Sequence, residues 1–358
     1  MKKQIHVSAP GKLILLGEHV VVYGKPAIIA SVAKRCQVKI ELREDNIVEI
    51  ISKKLDIAIK ITGEEIIKQT KQAQQQWETF AKTNDVAILK EITKNPLDYA
   101  IIIIGETLLF YKKELPRGFT LTIESEVPIG SGMGSSASLA VVIAQAVSLF
   151  LEQPFKKEDI NTIAFLAEQK KHGFPSGGDN SACFYGDLVW YRKETPDFKI
   201  IQPIPFTISS NVSKNFMTIF TGIPNESTGE MVSAVRSLYL ANQQAMEVVF
   251  SDQEQLTRDL LTAMKTENHE EIINIIRAGE KNLEKMGVVS PYVQAIIRKI
   301  EGAGGAAKIC GGGGKTKGTG TVLIYHTDKK ILEEVLKKEN LDFSEIVLGD
   351  EGVRVENI

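Results

Sequence analysis

The sequence predicts an α+β chain with room for two domains. Its first half alternates short β-rich runs with helical stretches. Residues from about 229 to 302 hold a nearly unbroken helical pattern, and the end returns to strands. At 358 residues the length suits two domains of ordinary size.

Taken in order, IHVSAPGKLILLGEHVVVYGKPAIIASV holds two or three β-rich runs broken by Gly and Pro, and CQVKIELRE and NIVEIIS read as further strands. Residues 63–83 change to helical period, with Ile66, Thr70, Ala73, Trp77 and Phe80 recurring at three and four. The Gln-rich KQAQQQ inside that stretch reads as an exposed helix face. Residues 96–112 predict a buried helix leading to the strand GFTLTIESEV, with Pro116 and Gly118 marking the turn. A Gly/Ser-rich loop follows, then a helix over 135–152 packed through Leu139, Val142, Ile143, Ala146 and Phe150, and another over about 157–171. Strands are expected at DLVWYRK and NFMTIFTG, and later at AAKIC, GTVLIYH and EIVLGDEGVRVE, with a helix at 328–339. No repeat of fixed period is present. The Pro- and charge-rich KETPDFKIIQPIP places a domain boundary near 190–215, which we set as 1–200 and 201–358.

Composition narrows the function. Hydrophobic residues make up 43% and charged residues 25%, the balance of a soluble globular protein. Lys+Arg 43 against Asp+Glu 45 gives a formal charge of −2, so neither a nucleic-acid partner nor a membrane is expected. Cys36, Cys183 and Cys310 match no zinc or disulfide spacing and read as reduced, buried thiols. The N-terminus lacks the apolar core of a signal peptide. The most apolar run, AIIIIGETLLFY, is too short to span a bilayer and carries Glu106. A cytoplasmic location is the resulting expectation.

Four segments carry candidate chemistry. PIGSGMGSS, ahead of the helix at 135, is a Gly-rich turn feeding a helix N-terminus, where unpaired N–H groups meet the positive end of the helix dipole. Gly130, Gly132 and Gly134 leave the backbone open to an anion, and Ser135 and Ser136 offer hydroxyls to a phosphate, a metal or the helix cap. An ordinary capped turn would look the same. It is not a P-loop, since no Lys follows; GGGGKT at 311–316 lacks the first glycine of that motif, and 130–135 ends in Ser where a Rossmann turn needs Gly. AEQKKHGFPSGGDNSA places Glu168 near a helix end and Asp179 in a Gly/Pro/Ser loop. Two such carboxylates can divide metal binding from hydroxyl activation, although Gly-Asp-Asn also suits a plain turn. In SAPGKLILLGEHVVVYGKPA, Lys12 follows a Pro-Gly turn before an apolar strand and is a candidate fixed cation; a solvated Lys at a strand start has the same pattern. His19 lies between two apolar runs, a common place for a structural histidine. AAKICGGGGKTKGTG is a Gly-dense turn between strands, either a flexible hairpin or a site of close ligand approach.

Together these segments resemble the GHMP kinase superfamily. Pro-Gly-Lys stands before Gly-Glu-His near the start, Pro-x-Gly-x-Gly-x-Gly-Ser-Ser in the middle, and Lys-Ile-x-Gly-x-Gly-Gly near the end. Within it the chain is most similar to the mevalonate kinase family: APGKLILLGEHVVVYGKPAI is close to that family's opening motif. HGFPSGGDN and SEVPIGSGMGSS match its other two signatures, and Glu168 precedes Asp179 by the family's spacing. The resemblance spans essentially the whole chain and is weak in 40–115 and 185–290.

The resemblance implies a two-domain GHMP kinase fold, with an N-terminal ribosomal-protein-S5-domain-2-like domain holding ATP and a C-terminal ferredoxin-like domain. It implies ATP-dependent phosphorylation of a small hydroxylated acid, with mevalonate at its C5 hydroxyl as the leading acceptor. By carry-over, Asp179 would face the acceptor hydroxyl and Lys12 would pair with it and with the transferring phosphoryl. Ser136 and Glu168 would hold Mg²⁺. Gly130, Ser131, Gly132, Met133, Gly134, Ser135 and Ser136 would wrap the ATP phosphates, with Ser125 nearby. His19, Thr228 and Gly311 would lie on the acceptor side. The last motif departs from the family: Cys310 stands for Thr and Gly312 for Ala, and KTKGTG follows, so Lys315 and Lys317 could meet a second anionic group. That departure keeps a phosphomevalonate or sugar kinase as the alternative. A non-catalytic metabolite sensor is the alternative of another class; loss of Lys12, Glu168 or Asp179 would favour it, and all three are present. Oligomeric state is left open, a homodimer included.

Overall fold

The computed structural model describes residues 4–195 and 198–357. β1 (Gln4–Leu16) and the long β2 (Pro26–Leu42) pair antiparallel around a 3-10 turn at Val20–Tyr23. β3 (Ile47–Ser52), β4 (Ile57–Thr62), α1 (Gly63–Thr83), α2 (Val86–Ile92), α3 (Asp98–Tyr111) and β5 (Phe119–Ser125) follow. Next come α4 (Ser135–Phe150), α5 (Lys157–His172), α6 (Gly178–Tyr185), β6 (Leu188–Lys193) and β7 (Lys199–Pro203). The second half holds α7 (Ser210–Ser213), β8 (Phe216–Phe220), α8 (Thr228–Ala241), α9 (Gln243–Lys265), α10 (His269–Lys285) and α11 (Pro291–Gly302). β9 (Ala306–Ile309), β10 (Thr321–Tyr325), α12 (Lys329–Lys337), β11 (Ser344–Glu345) and β12 (Arg354–Val355) end it.

One sheet runs β12-β1-β2-β5-β3-β4, with β6 joined to β2 and β7 to β6. Its pairs are antiparallel except β3 with β5. The other sheet runs β11-β8-β10-β9, all antiparallel. α3, α4 and α5 cover the first sheet in one apolar core that includes Ile103, Ile143, Ile163 and Phe119. α3 is buried around most of its circumference, as its run of isoleucines requires. Its Glu106 is neutralised by Lys170 of α5 at 3.0 Å, both side chains buried. A second cluster joins the two sheets: Leu13, Leu15 and Leu16 of β1 pack with Met264, Ile276, Leu323 and Tyr325. Burying large aliphatic side chains at about 1.5–3 kcal/mol each makes that joint a continuous core, so β1 is a floor shared by both halves. The third cluster lies under α8–α12. Among the described residues no helix is long and apolar enough to cross a membrane.

The helix over 63–83 has the expected bounds and starts with a Thr62/Glu65 capping box. Four local expectations are corrected. Pro10-Gly11 is no turn: both lie inside β1, at a shift of register between Pro10↔Arg35 and Gly11↔Val32. Asp179 is not in a loop but in the first turn of α6, whose N-cap Gly177 takes φ 89. CQVKIELRE continues β2 instead of forming a separate strand. EIVLGDEGVRVE contributes only the short β11 and β12; its middle is latched by Arg35, which donates to the Asp350 carboxylate and to the Glu351 and Gly352 carbonyls. The division expected between 200 and 201 falls within β7, which pairs with the first sheet, and β12 returns to that sheet from the chain's end. Residues 196 and 197 of the boundary segment lie outside the described residues.

Candidate active site

The loop before α4 is held from beneath and open above. Ser131 and Met133 are buried while Gly130 and Gly132 are exposed. Ser131 Oγ donates to the Pro128 carbonyl at 2.9 Å, and its own carbonyl accepts from Thr321 Oγ1 at 2.6 Å. The Met133 carbonyl accepts from the backbone N–H of Lys12 at 2.9 Å. Gly130, Gly132 and Gly134 all have positive φ (73, 80 and 74°), a conformation that side chains disfavour. At Gly134 a Cβ would also sit 2.7 Å from Lys12 Cγ. Gly134 is the N-cap of α4, and no side chain caps the helix. The hydroxyls of Ser135 and Ser136 therefore leave the helix-end N–H groups to another acceptor.

Lys12 Nζ lies 2.9 Å from Asp179 Oδ2. The β1 bulge sets the lysine on the floor beneath the loop, and the start of α6 brings the carboxylate over it. Lys12 is buried, with its side chain 6% exposed, whereas that of Asp179 is 41% exposed. Burial opposes the Lys12 charge, but the charge and hydrogen bond of Asp179 outweigh it and raise the amine above its ordinary pKa. Cys183 and Cys310 are buried beside this pair, and burial pushes both thiols up, Cys310 to about 11.

Glu168 is buried at the end of α5. Tyr99 of α3 donates to its Oε1, and Ser136 Oγ donates to its Oε2 at 3.3 Å. Ser136 also meets His172 Nε2 at 3.0 Å. A hydroxyl and a carboxylate converging at the first turn of α4 are hard oxygen donors, of the kind a divalent cation shares with a phosphate. The donor set fits Mg²⁺.

The turn after β9 reaches the loop, where a Cβ on Gly132 would lie 3.5 Å from the Cys310 carbonyl oxygen. His19 Nε2 lies 3.1 Å from the Gly312 carbonyl. A carbonyl only accepts, so Nε2 carries the proton and Nδ1, buried with no partner, is left with a lone pair. Burial lowers the His19 pKa to about 4, so the ring is neutral at ordinary pH. His19 has φ 63°, a strained backbone for a side-chain-bearing residue. Thr228, at the start of α8, packs on Gly312, where a Cβ would lie 3.0 Å from Thr228 Oγ1. Gly311 adjoins it with φ 84°. Lys315, Thr316 and Lys317 form the exposed rim, where Thr316 Oγ1 donates to Glu226 at 3.0 Å.

The structure thus unites Lys12, Asp179, the loop 130–136 and Glu168 on one side, and His19, Thr228 and Gly311 on the other. Ser125 lines a cavity of about 320 Å³ together with Arg35, Gln37, Lys53, Lys54 and Glu124. Sequence reasoning gave no role to Tyr99, Lys54 or His172, although His172 opens the HGFPSGGDN signature. His172 stands four residues after Glu168, a helical spacing that could have found it. Tyr99 stands at the head of an apolar run and gives no such signal.

A Gly-rich turn at a helix N-terminus, a buried lysine paired with a partly exposed aspartate and a hard-oxygen donor set are parts of the kind a phosphoryl-transfer site uses. The description GHMP kinases N terminal domain matches residues 102–187. Mevalonate kinase of Schizosaccharomyces pombe is 27% identical over 377 aligned residues, covering 99% of this chain and 92% of that protein. Mevalonate kinase of Thermococcus gammatolerans is 27% identical, covering 84% of this chain and 87% of that one. The solved Methanococcus jannaschii mevalonate kinase superposes with a TM-score of 0.76 at 21% identity, covering 99% of both chains. At 17% identity, Lactococcus lactis galactokinase shares the fold with a TM-score of 0.72. Residues 102–187 carry the GHMP kinase N-terminal domain, and the chain has the fold of the solved GHMP kinases. Within the superfamily it is most like the mevalonate kinases.

Proposed function

We propose that this chain is an ATP-dependent kinase that phosphorylates the C5 hydroxyl of mevalonate. The observation that carries the reading is the Lys12–Asp179 pair set beneath an uncapped helix N-terminus and its open glycine loop. Residues 130–136 cradle the triphosphate, with N–H groups and the helix dipole fixed toward its charge. The cavity beside Ser125 takes the base end of the nucleotide, with Lys54 at its edge. Ser136 and Glu168 hold Mg²⁺, which when bound neutralises phosphate charge. Tyr99 and His172 orient those two ligands.

Phosphoryl transfer asks the protein mainly for positioning and charge stabilisation. Asp179 accepts a hydrogen bond from the C5 hydroxyl and directs its oxygen at the terminal phosphorus. Lys12 stands between that carboxylate and the phosphoryl oxygens, a fixed cation whose charge its surroundings maintain. His19, neutral and with Nδ1 free to accept, suits a hydroxyl of the substrate better than its carboxylate. Thr228 and Gly311 complete the acceptor side. Nucleotide binding is assigned to residues 1–200, and the loop carrying Gly311 to residues 201–358.

The test is coupled ADP release with purified protein, Mg·ATP and separate additions of mevalonate, phosphomevalonate, galactose and homoserine. Mevalonate should give the highest kcat/KM by at least tenfold. Turnover of another acceptor in its place would overturn the substrate assignment, and no acceptor-dependent turnover at all would overturn the kinase reading.

A further inference from the structure

Beneath the acceptor wall lies a charged cluster that the proposed chemistry does not use. Lys308 of β9 is wholly buried, and its amine has three protons and three acceptors: the Glu18 carboxylate at 2.5 Å, the Ile309 carbonyl at 2.7 Å and the Ile14 carbonyl at 3.3 Å. Glu18 directly precedes His19 and is 2% exposed. Glu280 of α10 is also fully buried, and its Oε2 accepts from the Ile309 N–H at 3.0 Å. β9 is the edge strand of its sheet; Cys310 N–H bonds inward to Thr321, so Ile309 N–H points outward and needs a partner from elsewhere. Glu280 supplies it at the last residue of β9, just before the turn that carries Gly312.

Three ionisable groups in a dry interior are costly, and a well-packed apolar set would hold the same elements at equal or lower free energy. This cluster also leaves Glu18 Oε2 and Glu280 Oε1 without partners. What it gives that apolar packing would not is directional fixation. Lys308 ties β1 and the Glu18–His19 turn to β9, and Glu280 fixes the end of β9 from the other side. Both walls of the His19–Gly312 contact are thereby pinned within a few residues of the bond itself.

We propose that Glu280 is a positioning residue for the acceptor pocket: with Lys308 and Glu18 it forms a buried clasp that holds the Gly312 carbonyl against His19. The inference rests on the acceptor side being built from His19 and this turn. Burial raises the Glu280 pKa to about 8; the Ile309 N–H and Lys308 pull it down, and Glu284 and Glu18 push it up. Glu280 is therefore mostly a neutral acid at pH 7. Glutamine is then its close mimic, whereas leucine keeps the bulk and loses the acceptor.

The experiment compares Glu280→Gln, Glu280→Leu and the paired Glu18→Gln/Lys308→Met, which keeps volume while removing both charges. Glu280→Gln should leave the KM for mevalonate and for ATP within twofold. Glu280→Leu and the paired variant should raise the KM for mevalonate at least tenfold, with that for ATP within twofold. A merely structural role predicts equal changes in both constants, or none, and would overturn the clasp. A second readout does not depend on turnover. In ¹⁵N-histidine spectra, with the His19 signal assigned by its loss in His19→Gln, His19 should remain neutral down to about pH 5 in the wild type and Glu280→Gln. It should titrate above pH 5 in the other two. If the wild type fails to use mevalonate, the activity assignment falls while this signal still tests the clasp; an unmoved His19 in both disrupted variants sinks it. Should Glu280→Leu fail to fold, the paired variant decides.

Discussion

Replacing Asp179 with alanine tests the heart of the proposed site. At 2.9 Å, a Lys12–Asp179 attraction is about 1.4 kcal/mol with the dielectric of water and about 6 kcal/mol at an effective value of 20. Asp179 is 41% exposed, so solvent screens the pair and the lower half of that range applies. In the free protein the variant leaves Lys12 buried without its counter-ion. In the nucleotide complex the triphosphate takes that place, so ATP binding should change less than about threefold. The acceptor hydroxyl loses its hydrogen-bond partner at the reacting oxygen, an effect of roughly 10²–10⁴ in rate, or about 3–5 kcal/mol. Coupled ADP release should show kcat down at least 100-fold, and calorimetric titration with Mg·ATP should show the preserved nucleotide affinity. A kcat within tenfold of the wild type would refute the role of Asp179. Loss of ATP binding in step with kcat would instead make the pair a nucleotide anchor.

Ser136→Ala should raise the Mg²⁺ concentration for half-maximal rate by about tenfold, checked by a metal titration at fixed ATP; an unchanged requirement would exclude Ser136 as a ligand. Gly134→Ala adds a side chain at φ 74° and presses on Lys12 Cγ. It should lose about 1–2 kcal/mol of stability in urea unfolding and most of the activity, and wild-type kcat in that variant would contradict the packing described. The third concerns pH. The Glu280 carboxyl ionises near 4.5 in the unfolded chain and near 8 in the folded one. Between those values the unfolded state has released a proton that the folded state keeps, so rising pH favours unfolding by up to about 1.4 kcal/mol per unit. Relative to Glu280→Gln, the wild type should lose stability from about pH 4.5 to 8 and level off above it; parallel stability curves would show that Glu280 is not protonated in the fold.

The parts of this molecule written in local pattern were legible. The bounds of α1 follow from its apolar period and its Thr62/Glu65 cap, and the buried α3 from an unbroken apolar run. Motif order carried most of the site, because the loop 130–136 and the first turn of α4 are contiguous in sequence. Local rules failed where tertiary contacts overrode them. Pro10-Gly11 has the chemistry of a turn, but pairing on both sides of it with β2 keeps it in a strand and turns the anomaly into a bulge that aims Lys12. Gly-Gly-Asp has the chemistry of a turn as well; here Gly177 uses its positive φ to start a helix, and Asp179 gains a rigid mount. The Glu18–Lys308 contact joins residues 290 apart, and no spacing rule reaches that far.

One misreading falls on unusual backbone, at Gly177, and two other entrances to the site share that feature. His19 at φ 63°, Gly134 at 74° and Gly177 at 89° stand at the start of a 3-10 turn, of α4 and of α6. These are the three points from which His19, the glycine loop and Asp179 enter the candidate site. A left-handed residue at each start lets the chain arrive from one direction and leave in another, so an element packed into the core can still present its first turn to the opening. For His19, which has a side chain, that conformation costs on the order of 1–3 kcal/mol. The surrounding bonds must hold it there: Nε2 to Gly312, and the Glu18 carboxylate before it to Lys308. A strained histidine flanked by a dry ion pair is hard to explain as packing, since packing alone would have relaxed both. It follows directly if the free Nδ1 has to be kept aimed at a substrate hydroxyl.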